Sequence, residues 1–347
     1  GAGSAVRYSR PDAKTVVIDD ETRGRTRLEH DPWGRVVREV RPGSETRLSY
    51  DLAGRLTARE GAHGKEVFTY DGAGRPARQE GPDGGYRFAY DTAGRLARLT
   101  NTALGKSVDY GYDASGARTS MTLPWGKVSY GFDIQGQLET LTTPQGESIK
   151  IEREAGGRRS AIRYANGTVT RFNRTGRTLD SIETRQGKRL LSKRAYRYDD
   201  AGRVASVEDE RGERTLLERD ARGRVTRVSS ARLATAYGYD LAGNRSTIDG
   251  QQTKIAPGNR LLAAGERKLS YDAGGALVGI ETAKGKTALG YGARGQLSSA
   301  TLPGGEVVRY GYAPNGTRLW RQDKGGKTQF LNDLANVVGE YKGGALS

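Results

Sequence analysis

The stretch YDLAGRL at residues 50–56 decides the fold, because it returns as YDGAGRP at residues 70–76 and as YDTAGRL at residues 90–96. Weaker copies continue almost to the end of the chain at a spacing of about twenty residues. Such a period is typical of repeat architectures, in which each repeat is one supersecondary unit that packs against its neighbours. The sequence therefore predicts one unit copied in tandem.

Each clear copy consists of an aromatic residue, an aspartate, two variable residues, a glycine and usually an arginine. We expect the glycine at positions 24, 34, 54, 74, 94, 116, 136, 157, 176, 202, 223, 243, 275, 295 and 316, with Asn259 and Ala335 in its place in two copies. The interval between successive motif glycines is longer before Gly202, which predicts a longer loop. The stretch from Gly243 to Gly275 divides into two short units around Asn259. The copies that define the motif contain Tyr50, Asp51, Gly54 and Arg55; Tyr70, Asp71, Gly74 and Arg75; Tyr90, Asp91, Gly94 and Arg95; Tyr112, Asp113 and Gly116; Tyr198, Asp199, Gly202 and Arg203; and Tyr239, Asp240 and Gly243.

The residues before the motif predict a β-strand. Apolar and polar residues alternate there, and a period of two places the motif tyrosine and the residue two before it on one face, as with Leu48 and Tyr50. The aspartate and glycine then predict a turn, since the carboxylate can accept backbone N–H groups and glycine adopts positive φ without strain. Asparagine is the next best residue for that conformation, which fits Asn259.

A second strand follows each motif turn. Its apolar residues are three apart, as in Leu96 and Leu99, which indicates a bulge or burial of both faces. Prolines at a fixed phase, such as Pro42 and Pro82, mark the turn that ends this strand, because proline cannot donate to a sheet ladder. No apolar stripe has helical spacing. The expected fold is all-β, a continuous antiparallel sheet of two-stranded units.

Composition excludes several classes of protein. With 35% hydrophobic residues and a net charge of +16, the chain would be expected to be disordered were it not for the repeats. It has no cysteine and only two histidines, so we expect no metal site, no cofactor and no thiol nucleophile. No apolar run is long enough for a membrane span, and no signal peptide is recognisable. Residues 1–4 read as a tag or linker remnant, and residues 5–347 as a single repeat region of about fifteen repeats.

The number of strands predicts a large curved sheet. Roughly thirty strands at ~4.8 Å form a strip about 145 Å long. Twist prevents so long a sheet from staying flat, and wrapped once it would enclose a circle about 45 Å across, too wide for wall side chains to fill. We therefore expect a hollow spiral shell, part of one, or an open trough.

The repeated Tyr-Asp-x-x-Gly-Arg motif resembles the YD-repeat of rearrangement-hotspot (Rhs) proteins, which also occurs in toxin-complex C proteins and teneurins. The resemblance covers roughly residues 15–341, and residues 256–261 resemble the family's shortened Asn-Arg-Leu variant. It implies a β-sheet shell that encloses a C-terminal polypeptide, typically a toxin, delivered by a bacterial secretion system. The family's aspartyl self-cleavage motif and toxin domain do not occur before Ser347, so neither activity is carried over.

Several residues have both a functional and a structural interpretation. The motif aspartates could be catalytic acids, but their regular recurrence favours turn caps. The arginines that follow, Arg35, Arg55, Arg75, Arg95, Arg177, Arg203 and Arg224, could bind phosphates, although interleaved acids favour local ion pairs. The tyrosines could stack on bases or sugars, yet their phase favours packing within the sheet. His30 and His63 have no serine, cysteine or second histidine at catalytic or ligand spacing, and Trp125, in a turn, could be exposed for binding.

The leading hypothesis is a non-enzymatic shell segment of an Rhs-type toxin. Its partners would be the enclosed polypeptide, adjoining repeats and the core domain, and open edge strands could allow self-association. The second hypothesis is an extracellular binding or adhesion module, as in teneurins. The third is a nucleic-acid-binding protein, which the basic charge would favour. No catalytic residues are predicted.

Overall fold

The computed structural model describes residues 5–334 and 336–347. These residues form 35 strands, each antiparallel to its paired neighbours, and contain no helix. Accordingly, no helix in this part of the chain could span a membrane. The expected all-β sheet of two-stranded units is confirmed. Residues 1–4 and Ala335, for which we made predictions, lie outside the described residues.

The chain divides into two compact units. Unit 1 contains the chain up to Asp109 and again from Thr253 onward, and unit 2 spans Tyr110–Gln252. Two strands, β11 and β25, contain residues of both units. The first part of the chain contains β1 (Val6–Asp12), β2 (Thr15–Asp20), β3 (Gly24–His30), β4 (Val36–Arg41), β5 (Ser44–Tyr50), β6 (Leu56–Gly61), β7 (Gly64–Tyr70), β8 (Pro76–Gly81), β9 (Gly84–Tyr90), β10 (Leu96–Asn101) and β11 (Lys106–Tyr112).

Unit 2 then contains β12 (Arg118–Leu123), β13 (Gly126–Phe132), β14 (Leu138–Thr142), β15 (Ser148–Arg153), β16 (Arg159–Arg163), β17 (Thr168–Thr175), β18 (Thr178–Gln186), β19 (Arg189–Tyr198), β20 (Val204–Asp209), β21 (Arg214–Arg219), β22 (Val225–Ser229), β23 (Ala234–Tyr239) and β24 (Arg245–Ile248). The remaining strands are β25 (Gln251–Ala256), β26 (Arg260–Ala264), β27 (Arg267–Tyr271), β28 (Leu277–Thr282), β29 (Gly285–Tyr291), β30 (Leu297–Thr301), β31 (Val307–Tyr312), β32 (Arg318–Asp323), β33 (Gly326–Asp333), β34 (Asn336–Lys342) and β35 (Ala345–Leu346).

Two kinds of turn alternate along the chain. Motif turns hold the Asp-x-x-Gly sequence, as at residues 51–54, or a variant of it, as at residues 292–295. Inter-repeat turns follow the second strand, as at residues 62–63. Because consecutive strands are antiparallel, the motif turns lie at one end of the strands and the inter-repeat turns at the other. We call these ends the motif rim and the inter-repeat rim.

The predicted bulge occurs just after the motif turn. In the β9–β10 pair, Leu96 is opposite Tyr90 while Arg98 is opposite Ala89, so one residue of β10 has no partner. The β5–β6 and β7–β8 pairs shift register at the same place. The extra residue explains why the apolar residues of the second strand are three apart and still share a face.

Two expectations are wrong. The long step before Gly202 adds no longer loop: it lengthens β18 and β19 to 9 and 10 residues. Longer cross-strand ladders satisfy backbone groups that a loop would expose. Gly24 begins β3 beside an inter-repeat turn and is therefore not a motif glycine. The short units around Asn259 are confirmed, since β24 and β26 have 4 and 5 residues.

All the predicted motif glycines have positive φ, and so does Asn259, whose φ is 59°. These positions therefore need a residue that tolerates the left-handed region, which glycine does best and asparagine next best.

Candidate functional site

The motif turns that contain an aspartate are closed by it. In the turn that begins at Asp51, the Arg55 N–H donates to Asp51 Oδ1 over 2.9 Å, and the Gly54 N–H donates to the Asp51 carbonyl over 3.0 Å. The carboxylate thus takes up a backbone donor that the turn would otherwise leave unpaired. The turns at Asp31, Asp71, Asp91, Asp199 and Asp220 repeat this arrangement.

The motif arginine is held by the same carboxylate. Arg55 Nε donates to Asp51 Oδ2 over 2.8 Å, and its guanidinium lies 4.6 Å from the centre of the Tyr70 ring in the next repeat. Equivalent ion pairs hold Arg35, Arg75, Arg95, Arg203 and Arg224. These arginines are therefore occupied by protein groups and do not form a free phosphate-binding track, whereas Arg177 lies in an exposed turn.

The motif tyrosine connects neighbouring repeats. The Tyr70 hydroxyl donates to the Leu56 carbonyl over 2.9 Å, just after the preceding motif turn. Corresponding bonds are made by the hydroxyls of Tyr50, Tyr90, Tyr198, Tyr239, Tyr271, Tyr291 and Tyr312. Burial raises the pKa of Tyr50 and Tyr90, which favours the protonated phenol that donates this bond.

Other predicted motif residues lie in the same places with different partners. Asp113 accepts from the Ala117 N–H, as in the other turns. Because alanine replaces the arginine, its side-chain donor is the Ser115 hydroxyl. Asp240 accepts from the side-chain amide and backbone N–H of Asn244. Tyr112 ends β11, and Gly116, Gly202 and Gly243 have positive φ in their turns.

The turn hydrogen bonds lower the pKa values of the motif aspartates. For Asp51, Asp71, Asp91 and Asp199, the backbone N–H of the motif arginine contributes most and the arginine side chain adds to it. Ser115 has the largest effect on Asp113, and Asn244 on Asp240. A carboxylate held ionised by turn donors is a poor general acid, so the geometry supports a structural role.

A second arrangement, which we call the seam, lies within unit 1. There the inter-repeat rim of β2–β10 packs against the motif rim of β25–β34. Tyr312 N–H donates to Asp83 Oδ2 over 3.0 Å, and Gln329 Nε2 donates to the Ala103 carbonyl over 2.9 Å. Arg260 Nη1 reaches the Thr22 carbonyl at 3.2 Å. Repeats more than 220 residues apart in the sequence are thereby joined turn to turn.

A cluster of charged residues lies inside the seam. Glu66, only 7% exposed, is 2.5 Å from Arg59 Nε and 3.1 Å from Arg294 Nη2. Both guanidiniums also donate to the Pro314 carbonyl, from Arg59 Nη2 over 2.9 Å and from Arg294 Nη1 over 2.6 Å. Burial lowers the pKa of Arg294, while Glu66 opposes this effect. The cluster fixes a motif turn against the opposite rim.

Buried polar bonds continue the seam toward β33. The Tyr86 hydroxyl donates to Asn332 Oδ1 over 3.1 Å, and Asn101 Nδ2 donates to the Phe330 carbonyl over 2.9 Å. Tyr86, Asn101 and Asn332 are each at most 2% exposed. Buried polar groups that are all hydrogen-bonded specify one arrangement, because a shifted register would leave them unpaired.

Sequence reasoning missed the seam and the tyrosine hydroxyl bonds. A signal for the seam was present: Arg59 and Glu66 interrupt the mostly apolar face shared by Leu48 and Phe68, and Arg294 stands where the turns at Asp51, Asp71 and Asp91 have alanine. The repeat period describes only what the copies have in common. It therefore does not predict which distant repeats contact each other.

The histidines serve as local hydrogen-bond partners. His30 Nδ1 is 3.0 Å from the Lys14 carbonyl, and His63 Nε2 is 3.0 Å from Asp83 Oδ2. Trp125 lies half-buried in an inter-repeat turn. Across residues 5–334 and 336–347, no group of three or more acidic or histidine side chains could hold a metal ion.

A repeated hairpin with these motif turns defines a YD-repeat wall. The chain matches the teneurin YD-shell family over residues 5–130 and 193–332 and belongs to that family. The unmatched residues contain β14–β18, which form hairpins of the same kind. A search of curated proteins finds no match.

Solved structures show the same fold. The crystal structure of TcdB2–TccC3–TEV superposes with a TM-score of 0.74 at 17% identity, covering 91% of this chain and 20% of that chain. The Photorhabdus luminescens Tc holotoxin pore gives a TM-score of 0.74 at 17% identity, with 91% and 19% covered. TcdB2–TccC3 gives 0.73 at 17% identity, with 95% and 22% covered. This chain thus spans about a fifth of the length of these structures.

Proposed function

We propose that this chain is a wall segment of a shell that encloses a client polypeptide, as part of an Rhs-type bacterial toxin delivered outside the producing cell. The client would be a C-terminal toxin, and the other partners would be adjoining repeats and a core domain. Membership of the YD-shell family carries the proposal. A similar solved structure is described as TcdB2–TccC3 without its hypervariable C-terminal region, which gives a precedent for a variable client.

The exposed area supports a wall-forming role. The chain exposes 20650 Å² at a mass of 37.6 kDa, whereas a globular monomer of this mass exposes about 14,000 Å². Even two separate globular units of these sizes would expose only about 17,000 Å². A sheet with solvent on both faces accounts for the excess. Such a sheet can separate two compartments without any catalytic residue.

The seam supports the same role, because a wall that excludes macromolecules must be continuous from one row of hairpins to the next. In unit 1 the rows are joined by buried charged and polar bonds, with Glu66 and Tyr86 at the centre. Removing one partner of a buried ion pair leaves an uncompensated charge and opens such a joint.

The test uses the full gene product that contains this chain, with and without Glu66→Ala, under limited proteolysis. We expect the polypeptide outside the YD-repeats to resist protease in the parent protein and to be cleaved much sooner in the variant. Glu45→Ala is the matched control, because Glu45 pairs with Arg38 and Arg47 at the surface. Equal cleavage rates in parent and Glu66→Ala proteins, with the client digested before the wall, would refute enclosure.

A further inference from the structure

Positive charge is concentrated in one part of unit 2. Residues 158–197 contain twelve arginine or lysine residues and only two acidic residues, Asp180 and Glu183. The whole chain has 57 basic and 41 acidic residues, which gives its net charge of +16. Most of the excess positive charge thus falls in this stretch, which includes β16, β17, β18 and nearly all of β19. A concentration of one sign of charge attracts a partner of the opposite sign.

Strand pairing places five of these basic residues on one face of β15–β20, which we call the basic face. Arg171 lies opposite Glu183, and Glu183 lies opposite Lys193. Because residues two apart along a strand share a face, the other basic residues of the stretch on this face are Arg163, Arg185 and Arg197. The basic face therefore gathers cations from β16, β17, β18 and β19.

The acidic residues of the basic face are already paired. Each lies within 3.3 Å of an arginine nitrogen: Glu152 beside Arg163, Glu183 beside Arg185 and Glu208 beside Arg214. In contrast, Arg171, Lys193 and Arg197 form no ion pair with any residue that the structure describes. Arg171 and Arg197 are exposed, and Lys193 is half-buried. Three cations of the basic face are thus available to an external carboxylate.

The residues between these cations are small, and none of them is aromatic. Ala161 lies opposite Arg171, Ser206 lies opposite Arg197, and both are 5% exposed. The opposite face takes the aromatic residues of β16–β20, which are Phe172, Tyr196 and Tyr198. The bases of a nucleic acid would therefore find no ring on which to stack, which favours a partner that is held through charge alone.

The spacing of the three available cations suits an extended peptide. Arg171 and Lys193 are two strands apart, about 10 Å, and Arg197 follows Lys193 by four residues, about 13 Å along β19. Carboxylates on alternate residues of an extended chain recur about every 7 Å. An acidic segment of about five residues is therefore long enough to reach all three cations.

We propose that the basic face of unit 2 binds an acidic polypeptide segment in an extended conformation, with Arg171, Lys193 and Arg197 as the contacting cations. Carboxylates of the segment would pair with the two guanidiniums and the ammonium group through charge-assisted hydrogen bonds. Complementary charge of this kind sets specificity and speeds association. Binding at this face does not depend on whether the wall encloses a client.

The test measures binding of fluorescently labelled poly-L-glutamate to the chain by anisotropy, at about 0.1 M salt, where exposed charges more than about 10 Å apart are screened. We expect saturable binding, and its dissociation constant should rise about tenfold in the basic-face variant, which combines Arg171→Gln, Lys193→Gln and Arg197→Gln. The control variant removes the same charge at exposed positions of unit 1 through Arg87→Gln, Lys286→Gln and Arg309→Gln. It should raise the constant less than about threefold, because these charges lie outside the basic face.

Competing ligands decide whether the partner is a polypeptide. An oligothymidylate of equal charge and vesicles of anionic lipid are measured with the same variants. Absence of poly-L-glutamate binding, equal effects of the two variants, or tighter binding of the oligonucleotide or the vesicles at the basic face would overturn the proposal.

A second measurement locates the binding without any substitution. Circular dichroism verifies that each variant is folded, and hydrogen exchange of the parent chain provides the location even if the basic-face variant does not fold. Poly-L-glutamate should slow exchange in β17 and β19 of unit 2. Slower exchange confined to unit 1 would contradict the proposal.

Discussion

At the residue scale, the backbone angle of one glycine shapes each motif turn. Gly34 has a φ of 79°, and a Cβ there would meet no atom within 4 Å, so only the dihedral angle resists substitution. Gly72, in the second turn after it, is equally unobstructed but does not have positive φ. The two positions separate conformational strain from steric contact.

We expect Gly34→Ala to lower the free energy of unfolding by about 1–2 kcal/mol, the difference for an alanine in the left-handed region. Gly72→Ala should leave stability unchanged or raise it slightly, because alanine restricts the unfolded chain. Urea denaturation followed by circular dichroism measures both. Equal losses in the two variants would show that the turn does not need positive φ.

The motif aspartates predict a dependence of stability on pH. Asp51, Asp71, Asp91 and Asp199 have folded-state pKa values below the unfolded value of 3.8. Their contribution is therefore complete above the unfolded pKa and is lost as the pH falls through the folded pKa. We expect the urea midpoint to be nearly constant from about pH 7 to 5 and to fall below about pH 4.

Asp71→Asn should reduce this acid-dependent loss, because the amide cannot ionise. The matched variant is Asp200→Asn, at the exposed position next to Asp199 in its turn. A urea midpoint that falls equally in Asp71→Asn and the parent chain would contradict the role assigned to the carboxylates.

At the element scale, the seam should be the most sensitive joint of unit 1. Glu66→Gln would leave the partly buried guanidiniums of Arg59 and Arg294 without their anion, and breaking such a pair costs about 3 kcal/mol. Glu45→Gln, which breaks an exposed pair with Arg38 and Arg47, should cost less than about 1 kcal/mol. Hydrogen exchange should show faster opening of β7 and β31 in Glu66→Gln. Identical protection in the two variants would contradict a structural role for the cluster.

The strands were predictable where local chemistry specifies them. The spacing of Leu96 and Leu99 indicated the bulge, and the Asp-x-x-Gly sequence indicated the turn. The extended β18–β19 hairpin was not predictable from the spacing of glycines alone, because added residues can lengthen a loop or a ladder. In the structure, the added residues pair with each other and lengthen the ladder.

Contacts between distant repeats were beyond sequence reasoning for a different reason. The bond of Tyr86 to Asn332 depends on how twist and bulges accumulate over many strands. The sequence of a single repeat does not specify this accumulated twist. Only exceptions to the motif, such as Arg294, carry information about it.

At the scale of the whole molecule, the sheet gains stability from neighbouring repeats and, in unit 1, from rim-to-rim packing. Hairpins with the full motif contact the next through its arginine and tyrosine, as Arg55 and Tyr70 do, so stability is shared along the chain as in other repeat proteins. The seam adds the long-range contacts that fix which rows meet. It is therefore the feature on which a continuous wall depends.

Engineered cysteines test the seam most directly. Gly61 and Ala293 lie with Cβ positions 3.8 Å apart, the mean separation in a disulfide. In this cysteine-free chain, Gly61→Cys combined with Ala293→Cys should form an intramolecular disulfide under mild oxidation, read as loss of free thiols and a shift on a non-reducing gel. Gly61→Cys with Ala53→Cys, in the motif turn at the opposite end of β6, is the control that should keep its thiols. Free thiols in the Gly61–Ala293 pair of folded protein would contradict the account.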